Sequence, residues 1–141
     1  MSITYPDTRY PHRVSVVPSA LLAFPIASFG LALLTDVAYW ASANLMWQNF
    51  SAWLLFAGLV AGGIAVLWWL VRRAMLRGPT VWPVAGMNLL VLVAAFVNSL
   101  VHAGDGWTAV VPWGLALSAL TVCLMIVSGL LGATTIRHQG A

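Results

Sequence analysis

Four long apolar stretches, separated by short polar connections, organise this sequence. They cover residues 16–40, 50–71, 81–102 and 110–136. Each is longer than the roughly 20 residues that an apolar helix needs to cross a bilayer. The pattern therefore predicts an all-α membrane protein built as a four-transmembrane-helix bundle. Residues 1–15 form a polar arm before the bundle, and residues 137–141 form a short tail after it.

The third stretch carries one polar face on a helix that is otherwise apolar. At helical spacing, Asn88, Ala95, Asn98 and His102 fall on the same side, with Ser99 as an alternative to Asn98. A polar stripe on a membrane helix is stable when it faces neighbouring helices rather than lipid. We therefore predict that this face points into the bundle.

The first stretch has a matching strip of small and polar residues. Ser28, Ala32 and Asp36 repeat every four positions, so they lie on one face of a helix. A carboxylate at the centre of a membrane costs about 2.5–3.5 kcal/mol on insertion scales, and less near the interface. Asp36 therefore needs a partner inside the bundle.

A polar cluster is predicted where the first and third helices end on the same side of the membrane. Its candidate members are Asp36, Asn98, His102 and Asp105. We predict that Asp36 and His102 come within hydrogen-bonding reach, directly or through one water, with Asn98 nearby. A structural clamp between the two helices is the simpler interpretation, and a site that moves protons or binds a quinone headgroup is the alternative.

Two pairs of small residues predict close helix packing. Gly58 and Gly62 lie four apart in the second stretch, and Ser128 and Gly132 lie four apart in the fourth. Such pairs let another backbone approach closely. Packing within the chain is the simpler interpretation of both pairs, and a homo-oligomer interface is left open as the alternative.

Composition supports a membrane location and excludes several other classes. Hydrophobic residues make up 62% of the 141 residues and charged residues 6%, against about 25% charged in a soluble domain. The net charge of +3 comes without any lysine and without a continuous basic surface, which argues against nucleic acid as a partner. Cys123 is the single cysteine, so it forms no disulfide within the chain and is predicted to pack in the apolar core.

The six arginines predict the orientation of the bundle. They precede the first stretch, lie between the second and third, or follow the fourth: Arg9, Arg13, Arg72, Arg73, Arg77 and Arg137. With four crossings these segments share one side, which the positive-inside rule makes cytoplasmic. Both termini are therefore predicted inside and Asp105 outside. Tryptophans near the predicted helix ends fit the aromatic belts expected at both membrane interfaces.

The sequence contains few residues typical of a catalytic site. It has no glutamate, no glycine-rich phosphate loop and no recognisable pairing of nucleophile and base. We predict no enzyme activity, no metal site and no bound cofactor. The alternative is a redox protein holding a b-type haem or a quinone. Its weak haem-ligand candidates are His12, His102 and His138, but His102 is predicted on the opposite side from the other two.

Several short motifs resemble one family of bacterial proteins. They are Phe24-Pro25-Ile26, Thr35-Asp36-Val37-Ala38-Tyr39-Trp40, Asn49-Phe50-Ser51-Ala52-Trp53, Val101-His102, Asp105-Gly106-Trp107-Thr108 and Val111-Pro112. In order and spacing they are similar to the domain of unknown function 2231 family, small four-helix proteins of the bacterial inner membrane. The similarity extends from about Pro11 to His138.

The resemblance implies a multi-pass protein of the bacterial inner membrane and a choice between two roles. One is an accessory or structural subunit without its own catalysis, in contact with other membrane subunits. The other follows from the family's remote placement beside two-haem membrane cytochromes and from relatives associated with periplasmic quinoprotein sugar dehydrogenases. That placement implies electron transfer from a periplasmic dehydrogenase. This chain departs from the family pattern at Pro11-His12, at Val84 and at Val66-Leu67-Trp68-Trp69, where other members carry His-Pro, His and Gly-x-x-Asp.

Overall fold

Four long helices form the part of the chain that the structure describes. The computed structural model describes residues 16–76, 82–104 and 110–139, with side chains at 20–75, 82–104 and 110–134. The helices are α1 (Val16–Ser42), α2 (Leu45–Leu76), α3 (Trp82–Ala103) and α4 (Leu115–Gln139). Each contains a segment long and apolar enough to cross a membrane. The predicted all-α class and the four spans are confirmed.

The connection between α1 and α2 is much shorter than the sequence pattern predicted. Only Ala43 and Asn44 separate the two helices, so α2 begins at Leu45 rather than near residue 50. Ala43 takes a left-handed conformation with φ of 52°, which ends α1 sharply. The Asn44 side chain then accepts a hydrogen bond from the backbone N–H of Met46 at 3.0 Å and caps α2.

The start of α4 also differs from the prediction. Residues Val110–Gly114 form a wide turn in which Val111 is extended, with φ of −119° and ψ of 121°. The residue before a proline avoids helical backbone angles, because the proline ring crowds it. Pro112 therefore delays the regular helix until Leu115, five residues after the predicted start at residue 110.

The helices form an up-and-down bundle in which sequence neighbours are also spatial neighbours. α1 packs most extensively on α2, and α3 on α4, while α1 also touches α4 and α2 touches α3. α1 and α3 therefore lie diagonally across the bundle. We call the end containing Asp36 and His102 the aspartate end, and the end containing Arg72 and Arg73 the arginine end.

The buried apolar core is small and lies in the middle of the bundle. Its residues are Phe29, Ala32, Leu55, Val91 and Ala95. Many large apolar side chains lie on the outer surface, including Leu34, Trp53 and Leu130, each more than 60% exposed. In a membrane these residues face lipid, so their exposure carries no penalty. Cys123 is among the exposed residues, so the prediction that it packs in the core is wrong.

The predicted glycine pair of α2 packs within the chain. A methyl group added at Gly58 would lie 2.5 Å from Cε1 of Phe29 in α1, and one at Gly62 would lie 2.5 Å from Cδ2 of Leu92 in α3. Each glycine thus lets α2 approach a different neighbour. These contacts match the intrachain interpretation of the pair.

The second predicted pair behaves differently. The Ser128 hydroxyl donates a hydrogen bond of 2.7 Å to the side-chain oxygen of Asn88, which joins α4 to α3. A methyl group at Gly132, in contrast, would meet no atom within 4 Å. Ser128 therefore joins the helices by a hydrogen bond rather than as a small residue in a close contact. The expectation that Gly132 mediates close packing does not hold within the described part of the chain.

Candidate functional site

The side chain of Asp36 lies completely buried at the aspartate end of the bundle. It belongs to the strip that the sequence predicted, since Ser28 and Ala32 are also buried on the same face of α1. Asp36 is six residues before the end of α1, or about 9 Å along the helix axis. Both of its carboxylate oxygens have hydrogen-bond partners from other helices.

The first partner is His102, at the last turn of α3. Its Nε2 lies 2.9 Å from Oδ1 of Asp36. The other ring nitrogen, Nδ1, lies 3.0 Å from the backbone carbonyl oxygen of Asn98, one turn earlier. The predicted contact between Asp36 and His102 is therefore present, and it is direct rather than through water.

The second partner is Ser118, at the start of α4. Its hydroxyl donates to Oδ2 of Asp36 at 2.5 Å and accepts a hydrogen bond of 2.7 Å from Nδ2 of Asn98. Asn98 is fully buried, as the predicted cluster requires, and Ser118 is 1% exposed. We call Asp36, Asn98, His102 and Ser118 the polar network. It joins α1, α3 and α4.

The hydrogen bonds of His102 define where protons lie in the polar network. A backbone carbonyl only accepts hydrogen bonds, so Nδ1 of His102 carries a hydrogen toward Asn98. One further hydrogen lies between Nε2 and Asp36, giving an imidazolium with a carboxylate or an imidazole with a carboxylic acid. Both arrangements have zero net charge, which limits the cost of burying the pair in an apolar bundle.

Gly114 provides the room that the imidazole ring of His102 needs. A methyl group at this position would lie 2.9 Å from Cε1 of His102 and 3.5 Å from Cγ1 of Val110. Because both nitrogens of the ring are held by hydrogen bonds, the ring cannot easily move aside. The backbone just before α4 thus packs directly on the histidine.

A separate polar contact joins α2 to α1 beside the polar network. The hydroxyls of Thr35 and Ser51 lie 2.7 Å apart, and Ser51 is completely buried. Thr35 also donates to backbone carbonyls of its own helix. With this contact, all four helices are connected by polar side chains at the aspartate end.

Sequence reasoning found part of this arrangement. It placed Asp36, Asn98 and His102 together but did not include Ser118 in the cluster. Ser118 could have been assigned to the cluster, because α4 begins on the side where α1 and α3 end. Asp105 and His12 lie outside the described residues, as does the side chain of His138. Ser99 is partly exposed and outside the polar network.

One unpartnered atom remains inside the polar network. The side-chain oxygen Oδ1 of Asn98 is buried and has no hydrogen-bond partner within the described part of the chain. Leaving a buried carbonyl oxygen without a partner costs about 1–3 kcal/mol. The amide nitrogen of the same side chain is held by Ser118, which fixes which way the amide points.

Comparison with known protein families agrees with this architecture. A family model described as "Predicted membrane protein (DUF2231)" matches residues 18–141, which includes all of the polar network. The chain belongs to the DUF2231 family. Neither a curated protein nor a solved structure matches the chain.

Haem ligation, which the resemblance to DUF2231 proteins raised as an alternative, does not fit the geometry of His102. An axial ligand offers a ring nitrogen to iron. Nε2 of His102 is engaged with Asp36, and Nδ1 is engaged with the carbonyl of Asn98. Groups of three or more His, Cys, Asp or Glu side chains that could hold a metal ion directly are absent from the described residues.

Proposed function

We propose that this DUF2231 protein is a non-enzymatic accessory subunit of a larger assembly in the bacterial inner membrane. The observation that carries the proposal is the order of hydrogen bonds in the polar network. Ser118 and His102 bind opposite oxygens of Asp36, so the carboxylate lies between hydroxyl and imidazole. In a hydrolytic triad the imidazole lies between the other two groups and takes the proton from the hydroxyl.

Asp36 and His102 also offer no free polar atom to a ligand. Both oxygens of Asp36 and both nitrogens of His102 are used by neighbouring side chains and one backbone carbonyl. A proton relay or a quinone site needs at least one of these groups to face a cavity or a substrate. The simplest role for the polar network is therefore to hold α1, α3 and α4 in one arrangement, on which a partner subunit can dock.

The assembly is testable in native membranes. A tagged chain extracted with styrene–maleic acid copolymer, without detergent, should come out with at least one other integral membrane polypeptide in fixed stoichiometry. The isolated chain should oxidise neither a sugar nor a quinol, and its reduced absorption spectrum should lack a Soret band. Turnover by the isolated chain would contradict the proposal, and a Soret band would favour the redox alternative.

We also propose that both termini face the cytoplasm, as the arginine distribution suggests. The expected result can be checked in a Cys123→Ala background with single cysteines at positions 77 and 105. A membrane-impermeant maleimide added to intact spheroplasts should label Asp105→Cys and should reach Arg77→Cys only after the membrane is permeabilised. The opposite labelling pattern would mean that the orientation is inverted.

A further inference from the structure

A large cavity lies inside the bundle at the arginine end. Its volume is about 870 Å³, within the roughly 300–1,000 Å³ typical of ligand pockets. Apolar side chains such as Pro25, Phe29, Val91 and Met125 form its inner wall. The cavity therefore extends from the small core to the arginine end.

The cavity is open to the surface that lipid covers. Leu22 and Leu89 line it and are both more than half exposed. Ile26, on the next turn of α1, lines it as well and is 56% exposed. A hydrocarbon chain can therefore enter from the bilayer without crossing water or passing a polar barrier.

The mouth of the cavity carries positive charge and aromatic rings. Arg72 and Arg73 line it at the end of α2, together with Trp68, Trp69 and Trp82. The guanidinium carbon of Arg73 lies 5.7 Å from the centre of the Trp82 ring, a cation–π contact that positions this side chain. Arg72 is exposed. Tryptophan and arginine are typical of the depth at which lipid headgroups lie.

Within the described ranges, no acidic side chain lies at the rim beside Arg72. Asp36 is the one acidic residue in residues 16–76, 82–104 and 110–139, and it is paired with His102 at the opposite end. The cavity thus combines an apolar interior with a cationic rim. This is the chemistry that recognises a molecule with hydrocarbon chains and an anionic headgroup.

We propose that this cavity is a binding site for an anionic phospholipid. The acyl chain occupies the apolar interior between α1, α2 and α3, and the phosphate accepts hydrogen bonds from the guanidinium group of Arg72 at the rim. The site is at the other end of the bundle from the polar network and does not depend on the accessory role proposed above.

Native mass spectrometry of the purified chain with two lipids tests the headgroup selection. The protein is mixed with equal amounts of phosphatidylglycerol and phosphatidylcholine carrying identical acyl chains. One phosphatidylglycerol should be retained in preference to phosphatidylcholine, and Arg72→Gln should reduce that preference roughly fivefold, since one arginine near anionic lipid contributes about that factor. Arg72→Lys, which keeps the positive charge at the same position, should retain most of the preference.

A second variant tests the cavity independently of charge. Gly86 lines the cavity, and a methyl group there would meet no atom within 4 Å, so Gly86→Leu should fold while filling the space. It should lower retention of both lipids several-fold. Gly129→Leu is the matched control, because Gly129 has equal room and is not among the lining residues.

Three results would overturn the proposal. Equal retention of the two lipids by the unaltered chain would remove the headgroup selection. Retention that does not respond to Gly86→Leu would place the lipid elsewhere on the surface or show that the chain itself fills the cavity. Displacement of phosphatidylglycerol by an equal concentration of ubiquinone would identify the site as a quinone site instead.

Discussion

Replacing His102 with leucine should lower the free energy of unfolding by roughly 3 kcal/mol. The substitution leaves the Asp36 carboxylate buried without the ring that shares its proton, which in soluble proteins costs about 3–5 kcal/mol. We expect the lower end of that range, because the unfolded reference state of a membrane protein is itself in lipid, where polar groups find other partners. Unfolding with sodium dodecyl sulfate in mixed micelles measures this difference.

Two further variants separate the effect of the buried Asp36 charge on stability from the effect of losing the contact with His102. Asp36→Asn should cost less than about 1 kcal/mol, because the amide can donate to Nε2 of a neutral His102 while its oxygen accepts from Ser118. The double variant Asp36→Leu/His102→Leu should be more stable than His102→Leu alone, since no buried charge remains. A His102→Leu cost below 1 kcal/mol, or strictly additive effects in the double variant, would show that the pair is not coupled as the structure indicates.

Replacing Gly58 with alanine should destabilise the bundle by about 1–3 kcal/mol. The added methyl group would lie 2.5 Å from Cε1, 2.9 Å from Cδ1 and 3.1 Å from Cζ of Phe29. Phe29 is 1% exposed and belongs to the small apolar core, so its ring can avoid the methyl group only by shifting toward the cavity and losing its core contacts. Either α1 and α2 separate or the ring leaves its position, and overpacking of this kind costs about that amount.

Two neighbouring glycines in the same helix provide the controls. Gly63→Ala should be neutral or stabilising by up to about 1 kcal/mol, because no atom lies within 4 Å of the added methyl group and alanine favours the helix. The stability change for Gly62→Ala should fall between those for Gly58→Ala and Gly63→Ala, since its methyl group meets only the flexible end of the Leu92 side chain. The same micellar unfolding assay ranks all three. Equal effects at Gly58 and Gly63 would mean that Gly58 does not contact Phe29 in the folded protein.

These two predictions concern the two kinds of contact that hold helices together in lipid. Apolar side chains gain little by leaving lipid for a protein interior, so helix association depends on close packing and on polar contacts between helices. Here the close packing is at Gly58 and Gly62 in α2, and most of the polar contacts are at the aspartate end. The arginine end has a cavity instead, and lipid is the molecule best placed to fill it.

The polar network shows how far sequence reasoning reached toward the candidate site. A buried carboxylate requires a partner, and His102 was the residue at the right depth on the right face, so their contact could be predicted. Ser118 was not assigned, because a serine in a membrane helix satisfies its own hydroxyl through the preceding backbone carbonyl as readily as through another helix. The position of Ser118 near the start of α4 indicated the correct end of the bundle, but the sequence did not show which of these two acceptors its hydroxyl takes.

The sequence by itself determined the class of protein, its four membrane spans, the inward face of α1 and the inward positions of Ala95, Asn98 and His102 in α3. Asn88, predicted on that same face of α3, is exposed, although it accepts a hydrogen bond from Ser128. These properties follow from the length of each apolar segment and from the spacing of polar residues along it. Both are local features of the sequence, and the bilayer requires such segments to be helical.

Only the tertiary structure decided which partner each oxygen of Asp36 takes, that Gly58 contacts Phe29, and that the arginine end encloses a cavity. Those features depend on how four helices are spaced and rotated about one another. Hydropathy does not encode spacing or rotation in a solvent as apolar as the side chains themselves.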